Sequence, residues 1–480
     1  MPDYTKKGKN MIRYIYPIKI KEAKNVVSVD SLFRKKELQI GLNESDIAKF
    51  QPNSEIVLDF GKEIRGGVRI LTYETQDAKC VRIRIRFGES LSECFAELGK
   101  KNATNDHSPR DIEADLSAWS DLCFGDTGFR FVRIDLLSDG WFCVKSIVAK
   151  SYELNKQPIY SYMGNDKLVS SVFDVAKRTI DLCSVGQYVY DGIKRDRLVW
   201  VGDMYPEMLA LTTLYGSFPA LERSLNFAKK QYPLPQFMYN MPTYSLWWIL
   251  LVCDYYDQTS KKEFLSDKLD YMFGLLKLFD GRIGVDGKLD LNNYFVDWPS
   301  VGSVDEYIGA VFIAIAAYKK GIALLSKFGF DVGSFEVSLA ALCQNDFAVR
   351  ELKQVVGLKY FALGWISDED YALLVRDGAQ GFSTFMSWFI LEAVAARDKE
   401  LAVKLMKEYY GGMLAVGATT FFEDFDLKWL QNSSALDELP SQGQKDVHGD
   451  FGAHCYMGFR HSLCHGWSSG VIAFIKTHCC

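Results

Sequence analysis

The sequence predicts an antiparallel β-sandwich over residues 1–158 followed by an (α/α)6 toroid over residues 159–480. Three observations carry this. Up to about Glu153, apolar and polar residues alternate in short runs separated by Gly, Asp and Ser turns. Near Tyr160 the hydrophobic period lengthens to that of a helix. From Leu168 onward roughly a dozen helical stretches follow, joined by short loops, with few strand signals.

In the first part the clearest run is Val81–Phe87, VRIRIRF, with apolar residues at odd positions and arginines at even ones. Glu55–Phe60, Val68–Tyr73, Gly128–Leu136 and Trp141–Val148 continue the pattern. The polar insert Leu98 to Asp115 reads as a long loop. In the second part Val169, Val172, Phe173, Ala176 and Ile180 share one helical face. Further helices are expected to start near Tyr205, Phe218, Tyr244, Glu263, Val304, Phe335, Asp368, Phe382, Lys399 and His461. No fixed-period repeat is present, which disfavours a solenoid. Helical hairpins packed in a closed ring would bring the loops at one end to a central pocket.

A chain of 480 residues, 48% of them hydrophobic, is expected to bury more than one core. A net charge of -5 without a basic cluster argues against a nucleic-acid partner. The N-terminus has no apolar core of signal-peptide length, and the most apolar stretch, Leu246 to Cys253, is too short to span a bilayer. No membrane partner is expected. The expected location is the cytoplasm, or the periplasm if a signal peptide has been removed. The 11 cysteines are scattered without CxxC pairs, as in reduced, mostly buried thiols. The oligomeric state is not legible.

The chemistry concentrates in Asp191–Glu207, DGIKRDRLVWVGDMYPE. It holds four carboxylates (Asp191, Asp196, Asp203, Glu207), Arg195 and Arg197, with Trp200 among them. Carboxylates and guanidinium groups hydrogen-bond sugar hydroxyls, an indole stacks on the apolar face of a pyranose, and two carboxyls can serve as acid and base. A surface ion-pair ladder at a helix start has the same composition, and this stretch alone leaves both readings open. Similar islands lie further on: Tyr244–Trp248 (YSLWW), Asn293–Pro299 (NYFVDWP), Ala418–Asp426 (ATTFFEDFD) and Tyr456–Trp467 (YMGFRHSLCHGW). Glu423 sits among Phe421, Phe422 and Phe425, which would raise its pKa towards neutrality. Trp247 and Trp248 suit a core as well as a pocket. His461 and His465 are four apart and are expected on one helical face. Five of the six histidines fall between His448 and His478, but their spacing fits no zinc signature and lacks the Glu of HExxH, so no metal is expected. Walker and GxGxxG motifs are absent.

Taken together, the islands resemble the α-L-rhamnosidases of glycoside hydrolase family 78, bacterial members included. The family's segment of the type DCPxRDERLGWTGD is similar to Asp191–Asp203, DGIKRDRLVWVGD. Tyr244-Ser-Leu-Trp247 resembles a family helix start, and Phe295-Val-Asp-Trp298 its F-x-D-W loop. Ala418–Glu423 resembles A-T-T-x-W-E, and Ser462-Leu-Cys-His465 resembles S-L-N-H. The order of all five is kept over nearly the whole helical region, and together they are specific.

The resemblance implies an inverting exo-glycosidase that hydrolyses terminal α-L-rhamnosides without a cofactor. A general acid, at the position of Asp196, protonates the glycosidic oxygen, and a general base, at Glu423, activates water across a separation of roughly 6.5–9.5 Å. It further implies that Asp191, Arg195, Asp203 and Asp297 belong to the sugar site, that Trp200, Trp247 and Trp298 wall the pocket, and that His465 hydrogen-bonds the sugar. The arginines beside Asp196 are expected to turn to other partners. The pattern departs from the family in four ways. Asp stands for the usual acid Glu, the segment from Asp191 to Trp200 is one residue shorter, and Phe422 stands for a Trp. The chain ends just after the stretch carrying His465, where family members usually continue into a C-terminal β-sandwich, so a reduced form or a fragment is expected. Two alternatives follow: a glycosidase of this fold for another deoxy sugar or a uronic-acid-containing glycan, and a non-catalytic sugar-binding homologue.

Overall fold

The structure, a computed structural model, describes residues 11–479. Seven strands come first: β1 Met11–Ile15, β2 Lys19–Val27, β3 Ala48–Thr75, β4 Val81–Gly88, β5 Asp111–Leu116, β6 Ser120–Leu136 and β7 Phe142–Glu153. They form one antiparallel sheet in the order β1-β7-β3-β6-β4-β5, with β2 also on β3. The long strand β3 curls it. Residues 55–59 pair with β2 and β6, residues 64–72 pair with an earlier part of β6 and with β7, and residues 48–50 return to β7. Register shifts between Asp59 and Ile64 and between Gly66 and Val68 let the strand turn. The expected sandwich is therefore a single curled sheet. Its inner residues, among them Ile56, Leu58, Ile70, Ile83, Ile85, Phe87, Val132 and Ile134, form one apolar core.

The loop expected over Leu98 to Asp115 needs correction at its end, because Asp111–Leu116 is strand β5. Its acidic residues stand opposite the arginines of β4: Arg82 faces Asp115, Arg84 faces Glu113 and Arg86 faces Asp111. Opposite charges across neighbouring strands support this pairing.

The helices follow: α1 Leu91–Phe95, still within the sheet half, then α2 Lys167–Cys183, α3 Met204–Tyr215, α4 Pro219–Gln231, α5 Pro242–Thr259, α6 Lys262–Leu265 and α7 Leu269–Asp280. The remainder are α8 Glu306–Lys327, α9 Gly333–Leu342, α10 Lys353–Leu363, α11 Asp368–Val375, α12 Ser387–Ala395, α13 Lys399–Ala415 and α14 Val471–His478. Past Glu153 the only named strands among the described residues are a two-residue pair, Ser433–Ser434 with Lys445–Asp446. Helix α3 packs on α5, α5 on α8, α8 on α10, α10 on α12, α12 on α14 and α14 on α3. Helix α8 corrects another expectation. By length and composition it could cross a membrane, yet most of it is buried among its neighbours as a core helix.

The two halves are stitched by side chains that reach main-chain groups. Arg65 of β3 donates to the carbonyls of Leu182 and Val185, at 3.0 and 2.9 Å. Arg178 of α2 donates to the carbonyl of Glu63, and the Glu63 amide donates to Thr419 Oγ1 at 2.8 Å.

Candidate active site

The loop between α2 and α3 is folded on itself before it meets the helix. The Asp191 amide donates to the Leu198 carbonyl at 3.2 Å, and Asp191 Oδ1 accepts from the Leu198 amide at 2.8 Å. At its tip Asp196 and Arg197 both have positive φ, and Trp200 Nε1 donates to Asp196 Oδ2 at 3.1 Å. Arg197 turns to Asp126, with its carbonyl accepting at 2.6 Å. Arg195, buried, pairs with Glu423 and lies over the Tyr456 ring. From the sheet half, His107 Nε2 comes within 3.5 Å of Asp196 Oδ1.

A second segment, 418–426, lies against a third, 459–467. The Glu423 amide donates to the Ser462 carbonyl at 3.0 Å, and Glu423 Oε2 accepts from the Ser462 amide at 3.1 Å. The Glu423 carbonyl accepts from Thr384 Oγ1 and from Trp467 Nε1. The His465 amide donates to Phe421, and the Gly466 amide donates to the Asp191 carbonyl at 2.6 Å, which closes the third segment onto the first. His461 and His465 therefore lie in extended chain, not on one helical face as expected. Helix α14 starts only at Val471, because the amides of this stretch are already committed to neighbouring segments.

Together these segments surround a cavity of about 80 Å³ lined by Asp191, Arg195, Asp196, Trp200, Asp203, Met241, Tyr244, Phe295, Trp298, Glu423, Tyr456, His465 and Trp467. A second cavity of about 270 Å³ shares Trp298, Glu423, Tyr456 and Trp467 with it and adds Asp297, Ser383, Asp424, Trp429 and His454, among others. Eight of the ten residues expected from sequence thus line the smaller cavity, and Asp297 lines the larger. Trp247 is the exception and corrects the expected wall. It is fully buried in α5, with ring centroids 5.1 Å from Tyr205 and 5.6 Å from Phe389, and lines neither cavity. Helix α5 is buried on all sides over residues 242–256, so Trp247 faces core, and Tyr244 meets the cavity instead.

Burial sets the electrostatics. It pushes Asp191 well above the usual carboxylate range, helped by Asp203 and Asp196. It pushes Asp203 up to about 8, although the Tyr244 hydroxyl, donating to Oδ1 at 3.0 Å, opposes the shift. It also raises Glu423, against the Arg195 charge and the Ser462 amide. In the larger cavity it raises Asp297 to about 6 and, aided by Glu423, Asp424 to about 7. His465 Nε2 lies 3.8 Å from Asp191, 3.8 Å from Asp203 and 3.6 Å from Glu423. Its pKa is nonetheless held well below normal, by burial and then by Arg195. Burial disfavours the charged forms of Asp191 and Asp203 as well, which lessens the charge they offer the imidazole. Burial thus favours the uncharged forms of Asp191, Asp203 and His465, with the Arg195 guanidinium beside them directed to Glu423.

Several residues in or beside the site were given no role from sequence, although Glu207, Tyr456 and Trp467 lie in stretches singled out there. Glu207 lies one turn beyond Asp203 on α3, fully buried. Neither of its oxygens has a hydrogen-bond partner among the described residues, and burial together with Asp203 and Asp191 raises its pKa strongly. The spacing of Asp203 and Glu207, four apart, was the available signal. Tyr456 and Trp467 end the last island, and His107 lies in the insert read as loop. Glu89, Glu93 and His448 are close enough together to share a metal ion. The Lys194 ammonium, 2.9 and 3.2 Å from the two carboxylates, already supplies a cation there.

No protein-family model matches this chain, and no curated protein matches its sequence. Solved structures do match in fold. A rhamnosidase from Klebsiella oxytoca with rhamnose bound superposes with a TM-score of 0.73 at 17% identity, over 98% of this chain and 97% of that one. A family GH78 rhamnosidase of Bacillus sp. GL1 gives 0.69 at 18% identity, over 94% of this chain and 48% of that one. The Streptomyces avermitilis α-L-rhamnosidase complexed with L-rhamnose gives 0.65 at 13% identity, over 98% and 44%. The chain thus spans nearly all of the first structure and about half of the other two, and its curled antiparallel sheet followed by helices is the fold of these enzymes.

Proposed function

We propose that this protein is an exo-acting, inverting glycosidase that releases L-rhamnose from terminal α-L-rhamnosides, with Asp196 as general acid and Glu423 as general base. The observation that carries the reading is that Asp196 and Glu423 line one small cavity together with Asp191, Asp203 and His465, in a chain with the rhamnosidase fold. A base must be ionised at rest. The Arg195 guanidinium and the Ser462 amide stabilise the Glu423 carboxylate against the cost of its burial. An acid must carry a proton and reach the mouth. Asp196 is partly open to solvent and oriented by the Trp200 indole. Asp191, Asp203 and His465 converge where hydroxyls of a pyranose would be held, and Trp200, Tyr244 and Trp298 supply apolar walls.

The same reading takes the helices as a ring of six pairs. The closed sequence of neighbours α3, α5, α8, α10, α12 and α14, returning to α3, supports it. The sheet half over 1–158 and the helical half over 159–480 would then be two domains sharing one interface.

The test is turnover of an aryl α-L-rhamnoside beside a panel of other aryl glycosides. Release from the rhamnoside alone is expected, with Glu423→Gln lowering kcat by about 10²–10⁴-fold while L-rhamnose still binds. Turnover of a different glycoside, or an unchanged kcat in the variant, would remove the reading.

A further inference from the structure

Ser462, which holds Glu423 through its amide and its carbonyl, is itself held from the sheet half. Glu89, just past β4, accepts from Ser462 Oγ at 3.1 Å through Oε1 and from the Leu463 amide at 2.7 Å through Oε2. The same Oε2 lies 2.9 Å from Lys194 Nζ. That ammonium also meets Glu93 Oε1 at 3.2 Å and donates to the carbonyls of Phe459 and His461, at 3.0 and 2.7 Å. Lys194 immediately precedes Arg195, the guanidinium paired with Glu423. Glu89, Glu93, Lys194, Ser462 and Glu423 are all buried.

One ion cluster thus joins three segments that are far apart in sequence: the end of β4, the loop after α2 and the stretch 459–463. Both routes from it lead to Glu423, one through Ser462 to Oε2 and one along the loop through Arg195 to Oε1. A buried ion pair is a weak source of stability, because desolvation offsets most of the Coulomb attraction. What it can supply is fixed geometry, and a general base needs its carboxylate held within roughly 0.5 Å of the productive position.

We propose that Glu89, reaching from the sheet half, is a positioning residue for Glu423: paired with Lys194, it sets Ser462 and with it the direction of the Glu423 carboxylate. The proposal rests on Glu423 being the base. The sheet half is then part of the catalytic machinery and not only a neighbour of it.

The test is a double-mutant cycle on an activated aryl α-L-rhamnoside. Glu89→Gln keeps the shape of the side chain and removes its charge. In the otherwise unaltered protein it is expected to lower kcat by about tenfold or more while KM stays within about twofold. In a Glu423→Gln background it should slow the residual rate by less than about twofold, because the residue it positions is already disabled. An unchanged kcat, or a loss of equal size in both backgrounds, overturns the proposal. If Glu89→Gln fails to fold, Ser462→Ala carries the test. It removes the hydroxyl and leaves the amide, and a lowered kcat at constant KM supports the proposal while an unchanged kcat overturns it. Full turnover by Glu423→Gln would instead overturn the base assignment, a result distinct from an inactive Glu423→Gln beside a fully active Glu89→Gln.

Discussion

Asp196 and Arg197 follow one another at φ 50° and 56°. Side chains other than glycine occupy that region at a cost, and Asp tolerates it better than most. The turn sends Arg197 towards Asp126 and leaves Asp196 against Trp200 in the cavity. If Asp196 is the acid, Asp196→Asn should lose about 10²–10⁴-fold in kcat/KM on rhamnosides with poor leaving groups, which need protonation. On activated aryl rhamnosides the loss should be about tenfold or less, and equal losses on both would make Asp196 a binding residue and turn attention to Asp203. Asp203 carries a separate consequence. Unfolded, it ionises near about pH 4; folded, it keeps its proton up to about 8. Between these values the folded chain binds the extra proton, so stability falls as pH rises, by about 1.4 kcal/mol for each unit. Asp203→Asn removes that slope. Its melting temperature relative to the parent should be higher at about pH 8 than at about pH 5, and an equal difference at both would show that Asp203 ionises normally.

At the scale of elements, helix α3 and the stretch 459–467 are fitted closely enough that one glycine is required. A Cβ on Gly466 would fall 1.9 Å from Glu207 Oε1, whose side chain is fully enclosed. Gly466→Ala should therefore destabilise the fold by about 1–3 kcal/mol through overpacking. In a Glu207→Ala background it should cost far less, and equal costs in urea unfolding of both backgrounds would show that the two do not compete for space. Elements with a strict period were the legible ones. The alternation of β4 and the 3.6-residue face of α2 read directly, since both follow from which residues must be buried. Strand β5 was obscured because its outward residues are acidic and its neighbours polar; its partner, the arginine ladder of β4, was visible but unpaired in sequence. Trp247 was misplaced because α5 is apolar all round, so its sequence does not say which side faces a cavity. His461 and His465 kept helical spacing by coincidence, in a stretch whose amides serve other segments.

For the whole molecule, all the residues that line the smaller cavity except Met241 come from five islands spread from Asp191 to Trp467, and these were legible because each is rich in aromatics and three of them carry carboxylates. Their supports were not legible. Glu89 and Lys194 are charged residues that look solvent-facing until the fold buries them, and their partners lie far away in the sequence. The Arg65 and Arg178 contacts across the two halves are of the same kind, because a main-chain carbonyl leaves no mark in sequence. The central claim is that Asp196 and Glu423 act from opposite faces of a bound L-rhamnoside, one on the leaving oxygen and the other on water. The most direct measurement is ¹H NMR of the sugar first formed from an aryl α-L-rhamnoside, recorded before mutarotation. The account predicts β-L-rhamnopyranose as the initial product. Initial formation of the α anomer, or no release of rhamnose at all, would contradict it.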